Sequence, residues 1–215
     1  MSDRQAFSTK SRLHALTIPK EEGLDDKALI AGLQVGDERV AAQLYQRLVS
    51  TVDRALYRIF GRREQDHDDL VQATFEQIVL TLCSRRFEGA CSLKTWASRL
   101  AAHVGLKALR SRQRERKVVD WGSVIEDSVH PSLSDVETDM EVRADIQRLR
   151  TLLARINPRR AEVVLLTDVL GHELAEVSEM MGLSIVAAQS LLARGRKDLS
   201  EGLRTTQIPR GGTRQ

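Results

Sequence analysis

Along most of this chain apolar residues return every third or fourth position, the repeat of a helix face. Asp25 or Asp26 is placed to cap a first helix carrying Leu29, Ile30 and Leu33, ended by Gly36. Asp37 is placed to cap a longer one whose stripe is Val40, Leu44, Leu48, Val52, Leu56 and Ile59, and Gly61 stops it. A third begins near Asp66 to Asp69 and carries Leu70, Val71, Phe75, Ile78, Val79 and Leu82. After a loop holding Gly89, Ser92 starts a fourth, with Leu93, Trp96, Leu100 and Val104 turned inward. Four such helices can bury one common core.

The repeat fails between residues 118 and 139, where DWGSVIEDSVHPSLSDVETD is acidic, contains a proline and reads as a linker. It resumes at Val142, Ile146, Leu149, Leu152 and Leu153. Asn157-Pro158 pairs a cap with proline at the first helical position, and Val163, Val164 and Leu166 follow. Residues 171–199, GHELAEVSEMMGLSIVAAQSLLARGRKDL, then predict two short helices around a tight turn. Leu174, Val177, Met180 and Met181 mark the first, and Gly182 supplies the positive φ that ends it. Ser184 fits the N-cap of the second, with Ala187, Ala188, Leu191, Leu192 and Leu199 on one side and Gln189, Arg194, Arg196 and Lys197 on the other. That is a helix-turn-helix, whose second helix can lie in the major groove of DNA. The expected fold is all-α. It comprises a flexible tail over 1–24, a four-helix domain over 25–117, a flexible acidic linker over 118–141, a helix-turn-helix domain over 142–203 and a flexible tail over 204–215.

Composition agrees with helices: 41% of residues are hydrophobic, only 4% are aromatic, and there are four prolines in 215 residues. No apolar run approaches the roughly 18–20 residues needed to span a bilayer, and the N-terminus lacks a secretory apolar core, so a cytoplasmic protein without membrane insertion is expected. Cys83 and Cys91 form no CxxC and have no His at ligand spacing, which fits ordinary reduced thiols and no metal or other cofactor. Charge changes the picture more. The net +3 hides residues 85–117, with ten Lys/Arg against two Asp/Glu, beside residues 118–145, with one against eight. The basic block can neutralise phosphates, and the acidic one should stay clear of nucleic acid.

Two stretches resemble one family, in order and at the expected distance. DHDDLVQATFEQIV (66–79), followed by FEGACSLKTWASRLAAHVGLKALRSRQRERK (87–117), resembles the second region of RNA polymerase sigma factors of the extracytoplasmic-function group. INPRRAEVVLLTDVLGHELAEVSEMMGLSIVAAQSLLARGRKDL (156–199) is similar to that group's fourth region. The resemblance implies a dissociable initiation subunit without catalysis of its own, with core RNA polymerase and promoter DNA as partners and an anti-sigma factor as a third. It implies that Asp69, Gln72 and Phe75 lie on the helix that docks on the clamp helices of the polymerase. Asp69 and Gln72 are three apart on one face, suited to Arg partners. It places Lys94, Arg99, His103, Lys107, Arg110, Arg112 and Arg114 on the basic helix that meets the minus-ten element, with the loop 87–92 where an extruded base is held. Trp96 shares the inward stripe and is expected in the core. Gln189, Ser190 and Arg194 take the positions that contact the minus-thirty-five element, with Ser184 at the start of that helix and Lys197 on phosphate. Gln can read adenine and Arg guanine bidentately.

The chain departs from the family pattern at His103, where Asn is usual, and at Lys107, where an acidic residue is usual. Ser178 replaces a usual Ala, Ala188 a usual Val and Leu191 a usual cation. Losing that cation predicts weaker phosphate anchoring or a tilted recognition helix. These departures keep open a second reading, a helix-turn-helix regulator or sigma-like protein without productive initiation, which would bind core polymerase without opening promoters. A third, a metal-dependent phosphohydrolase built on His67-Asp68, lacks further His at ligand spacing and any phosphate-cradling Gly loop.

Overall fold

The computed structural model describes residues 24–119 and 136–206. Helices α1 (Asp26–Gln34), α2 (Glu38–Phe60), α3 (His67–Cys83) and α4 (Leu93–Val119) form the N-terminal unit. Helix α5 (Val136–Arg155), α6 (Pro158–Val164), a π-helical turn (Leu165–Val169), α7 (Leu174–Met181) and α8 (Ile185–Thr206) form the C-terminal unit. Among the described residues every regular element is helical.

Local chemistry sets the helix ends. The Asp25 carboxylate accepts from Ala28 N–H at 2.7 Å, and Asp37 accepts from Arg39 N–H at 2.9 Å. Gly61 closes α2 at φ 65°, its N–H donating to the Tyr57 carbonyl. Ser92 Oγ accepts from Thr95 N–H at 3.1 Å at the start of α4. Asp26 does more than begin α1. Its carboxylate holds Arg47 of α2 at 2.7 Å and also accepts the Leu93 N–H at 2.9 Å, so one side chain ties three helices.

The N-terminal core is built from Leu29, Leu44, Leu48, Val52, Leu56, Phe60, Ile78, Leu82 and Leu93, all essentially without solvent exposure. Trp96 lies in it as expected, its ring 4.9 Å from that of Phe87. Val79 does not: it is exposed, and its neighbour Leu80 is 69% exposed. The C-terminal core gathers Ala161, Val163, Leu165, Leu166 and Val177. Gly195 lets α8 cross α6 closely, since a Cβ there would lie 2.7 Å from Val164 Cγ2.

Three boundaries differ from expectation. Residues 118–119 continue α4 and residues 136–141 open α5, so both ends of the expected linker are helical; likewise α8 runs to Thr206. The tail over 1–23, the linker over 120–135 and the tail over 207–215 lie outside the described residues. The two units pack together, α5, α6, α7 and the π turn all touching α4.

Candidate functional site

On α3 the side chains of Asp69, Gln72 and Glu76 stand exposed along one face, and Gln72 Nε2 donates to Glu76 Oε1 at 3.1 Å. Phe75 is half-buried, packed at 4.6 Å against Tyr45. Val79 and Leu80 extend this face with apolar surface, giving a polar strip that ends in an oily patch. Glu76 and Leu80 escaped the sequence reading because neither breaks the helical repeat. His67, at the N-terminus of α3, is buried with Nε2 2.9 Å from Asp53 Oδ1. Among the described residues no cluster of His, Cys, Asp and Glu has the makings of a metal site.

The cations expected along α4 fall into two sets. Lys94, His103, Lys107 and Arg114 stand exposed. Arg99, Arg110 and Arg112 are partly buried and engaged. Arg99 Nε donates to Glu162 Oε1 at 2.9 Å, and its Nη1 donates to the Met180 carbonyl. Arg110 donates to the carbonyls of Ala154 (3.3 Å) and Ile156 (3.2 Å). Burial lowers the Arg110 pKa from its ordinary value, and Glu162 opposes that shift. Arg112 lies over the Phe60 ring at 4.7 Å and pairs with Asp66 at 2.5 Å. At these three positions the guanidinium already has a protein partner in this structure. Of them, Arg99 and Arg110 face the C-terminal unit, and Arg112 stays within the N-terminal one.

The helix-turn-helix forms as its local residues dictate. Gly182 adopts φ 62°, Leu183 N–H donates to the Ser178 carbonyl at 2.9 Å, and Ser184 Oγ accepts from Ala187 N–H at 3.2 Å. Gln189, Arg194 and Lys197 are exposed on α8, with Ser190 half-buried between them. Arg196 grips Asp168 of the π turn with two bonds, 2.9 and 2.6 Å, and Arg160 holds Asp198 at 2.7 Å, which fixes α8 on its scaffold. Ala188 is fully buried, and buried Ser178 satisfies its hydroxyl on the Ala175 carbonyl at 2.7 Å. Leu191 is half-buried against the core, so this departure adds packing where a cation would have reached outward. Ile185 and Val186 are 53% and 73% exposed at the N-terminus of α8. They lie off the apolar stripe, which is why periodicity did not single them out.

Residues 44–115 match the family model for sigma-70 region 2, and residues 146–199 match that for sigma-70 region 4. The chain is similar to the RNA polymerase sigma factor NccH of Alcaligenes xylosoxydans xylosoxydans, with 29% identity covering 85% of this chain and 97% of that protein. It is 32% identical to the ECF RNA polymerase sigma factor SigG of Mycobacterium tuberculosis over 66% of this chain, a match that spans only 43% of SigG. RNA polymerase sigma factor CnrH of Cupriavidus metallidurans is 28% identical over 81% of this chain and 92% of its own length. A solved structure of CnrH in complex with the cytosolic domain of CnrY aligns with TM-score 0.47 and 24% identity, covering 84% of this chain and 97% of that one. With both regions present in order on a helical frame, the chain belongs to the sigma-70 family of RNA polymerase sigma factors, in its extracytoplasmic-function group.

Proposed function

We propose that this chain docks on core RNA polymerase through the α3 face of Asp69, Gln72 and Phe75. It then meets the minus-ten element with α4 and reads the minus-thirty-five element with the N-terminal half of α8. The observation that carries this assignment is the division of exposed chemistry. An acidic strip running into Val79 and Leu80 suits a protein partner, whereas the exposed Gln189, Arg194 and Lys197 of α8 suit base edges and phosphate. Lys94, Lys107 and Arg114 then track the strand backbone, and His103 lies among them. The work is binding and strand separation, with the covalent step left to polymerase, in the cytoplasm. An anti-sigma factor as a further partner rests on kinship alone.

Run-off transcription with core polymerase on the promoter upstream of the chain's own gene tests this reading. A discrete start site that depends on the chain, with permanganate-reactive thymines near minus ten, is expected. Tight core binding without strand opening would instead favour a sigma-like regulator.

A further inference from the structure

Among the described residues six sit at positive φ, and five of them are glycines. The sixth is Arg85, at φ 56°. It follows the last turn of α3, where Arg85 N–H donates to the Leu82 carbonyl and Arg86 N–H to the Thr81 carbonyl, both at 3.1 Å. Those two bonds form a left-handed helix stop, and they use backbone alone. Glycine would make them without the crowding that a Cβ suffers at this angle. The side chain therefore weakens the stop it occupies, and no contact within the fold offsets that. Arg85 and Arg86 are both exposed, and among the described residues neither guanidinium has a hydrogen-bond or ion-pair partner. This holds although Glu88 stands exposed three residues after Arg85. A backbone held in a sparsely populated region without a structural return points to a side chain kept for what it reaches.

Residues 84–92 link α3 to α4. Phe87 is seated on Trp96, ring to ring at 4.9 Å, which ties this link to the first turn of α4. Two residues span at most about 7 Å, so Arg85 is held close to that turn, where Lys94 is exposed. Arg85, Arg86 and Lys94 thus gather three cations at the N-terminal end of α4, ahead of the exposed Lys107 and Arg114 further along it. The positive end of the α4 dipole lies in the same place, so the charges repel one another and an anion relieves all of them.

We propose that Arg85 is a further DNA-contact residue, gripping the phosphate backbone of the separated strand at the N-terminal end of α4. Its left-handed backbone aims the guanidinium there, and the planar fork takes phosphate oxygens in pairs. This rests on the reading of α4 as the helix that meets the minus-ten element.

The test pairs thermal unfolding of the full-length chain with the affinity of its holoenzyme for a fork DNA. The fork is taken from the promoter upstream of the chain's own gene and is single-stranded from minus ten. Arg85→Gly should raise Tm by roughly 2–4 °C. It should nevertheless weaken fork binding on the order of fivefold, with a salt slope lower by about 0.7 for the one lost contact. Arg85→Asn accepts the left-handed backbone without a charge and should lose the same affinity. Arg85→Lys should keep most of the affinity with no gain in Tm. Unchanged affinity in Arg85→Gly overturns the proposal. A fall in its Tm does so too, because the side chain would then be stabilising the fold. Lys107→Ala with Arg114→Ala checks the underlying reading. If that pair weakens fork binding and Arg85→Gly does not, α4 meets the minus-ten element and the Arg85 contact alone is overturned. If the pair has no effect, the reading of α4 falls and takes the proposal with it.

Discussion

Helices α4 and α8 are both long, basic and amphipathic, yet they spend their cations differently. On α8 the side chains of Arg194 and Lys197 reach solvent beside Gln189, Lys197 pairing only at 3.8 Å with Glu201 of its own helix, and Arg196 is tied back to Asp168 of the π turn. On α4, Arg99 and Arg110 are held by oxygens of the other unit and Arg112 by Asp66. A count of charges is the same kind of number for both helices, but it measures potential and not availability. What decides availability is whether a neighbouring element presents carbonyls or carboxylates at guanidinium reach. In the described state most cations of α8 are open to solvent, and those of α4 are only partly so.

The strongest blow to this contrast falls on α4's inner side. Trp96→Ala should cost about 3–5 kcal/mol in denaturant unfolding, since its ring is buried against Phe87. A loss below about 1 kcal/mol would show that the Trp96 ring contributes little to the core. Next, Asp69→Lys with Gln72→Ala should weaken core polymerase binding by roughly 1–3 kcal/mol while sparing the affinity of the chain for DNA, checked by direct titration of both. Unchanged core affinity would move the docking face elsewhere.

On α8 the expected losses depend on the DNA used. Gln189→Ala should lose roughly 1–3 kcal/mol on cognate minus-thirty-five DNA and little on a scrambled duplex, measured with holoenzyme. Equal losses on both would mean that α8 holds DNA without reading it. Lys197→Ala should have the smallest effect, a near-uniform weakening with a salt slope lower by about one. A cognate-only loss there would make Lys197 a reader.

What was legible in the chain was local. Asp25, Asp37, Asn157 and Ser184 were recognisable as caps because a short side chain beside an apolar repeat reaches only its own first turn, and each does so. Gly61 and Gly182 stop helices for an equally local reason, a backbone angle that other residues avoid. The buried stripe of α4 followed from spacing for Leu93, Trp96 and Val104. The fate of Arg99 did not, because its partners Glu162 and Met180 lie 63 and 81 residues away. Nor did that of Arg58, whose acceptor is 112 residues on. Periodicity says which side of a helix is oily, and it is silent about which other helix ends there. Leu191, by contrast, was placed on the apolar side of its helix by spacing alone, and it does pack against the core.

The triple grip of Asp26 has a practical side for anyone cutting the chain into pieces. The region 2 match begins at residue 44, yet the carboxylate that receives the first backbone N–H of α4 sits 18 residues earlier. A fragment trimmed to the matched stretch would strip Arg47 of its partner, leave Leu93 N–H to water, and uncover the side of the core that Leu29 and Leu33 seal. The smallest autonomous piece for expression or crystallisation therefore starts ahead of Asp25, and the short first helix belongs to the foundation of the basic one.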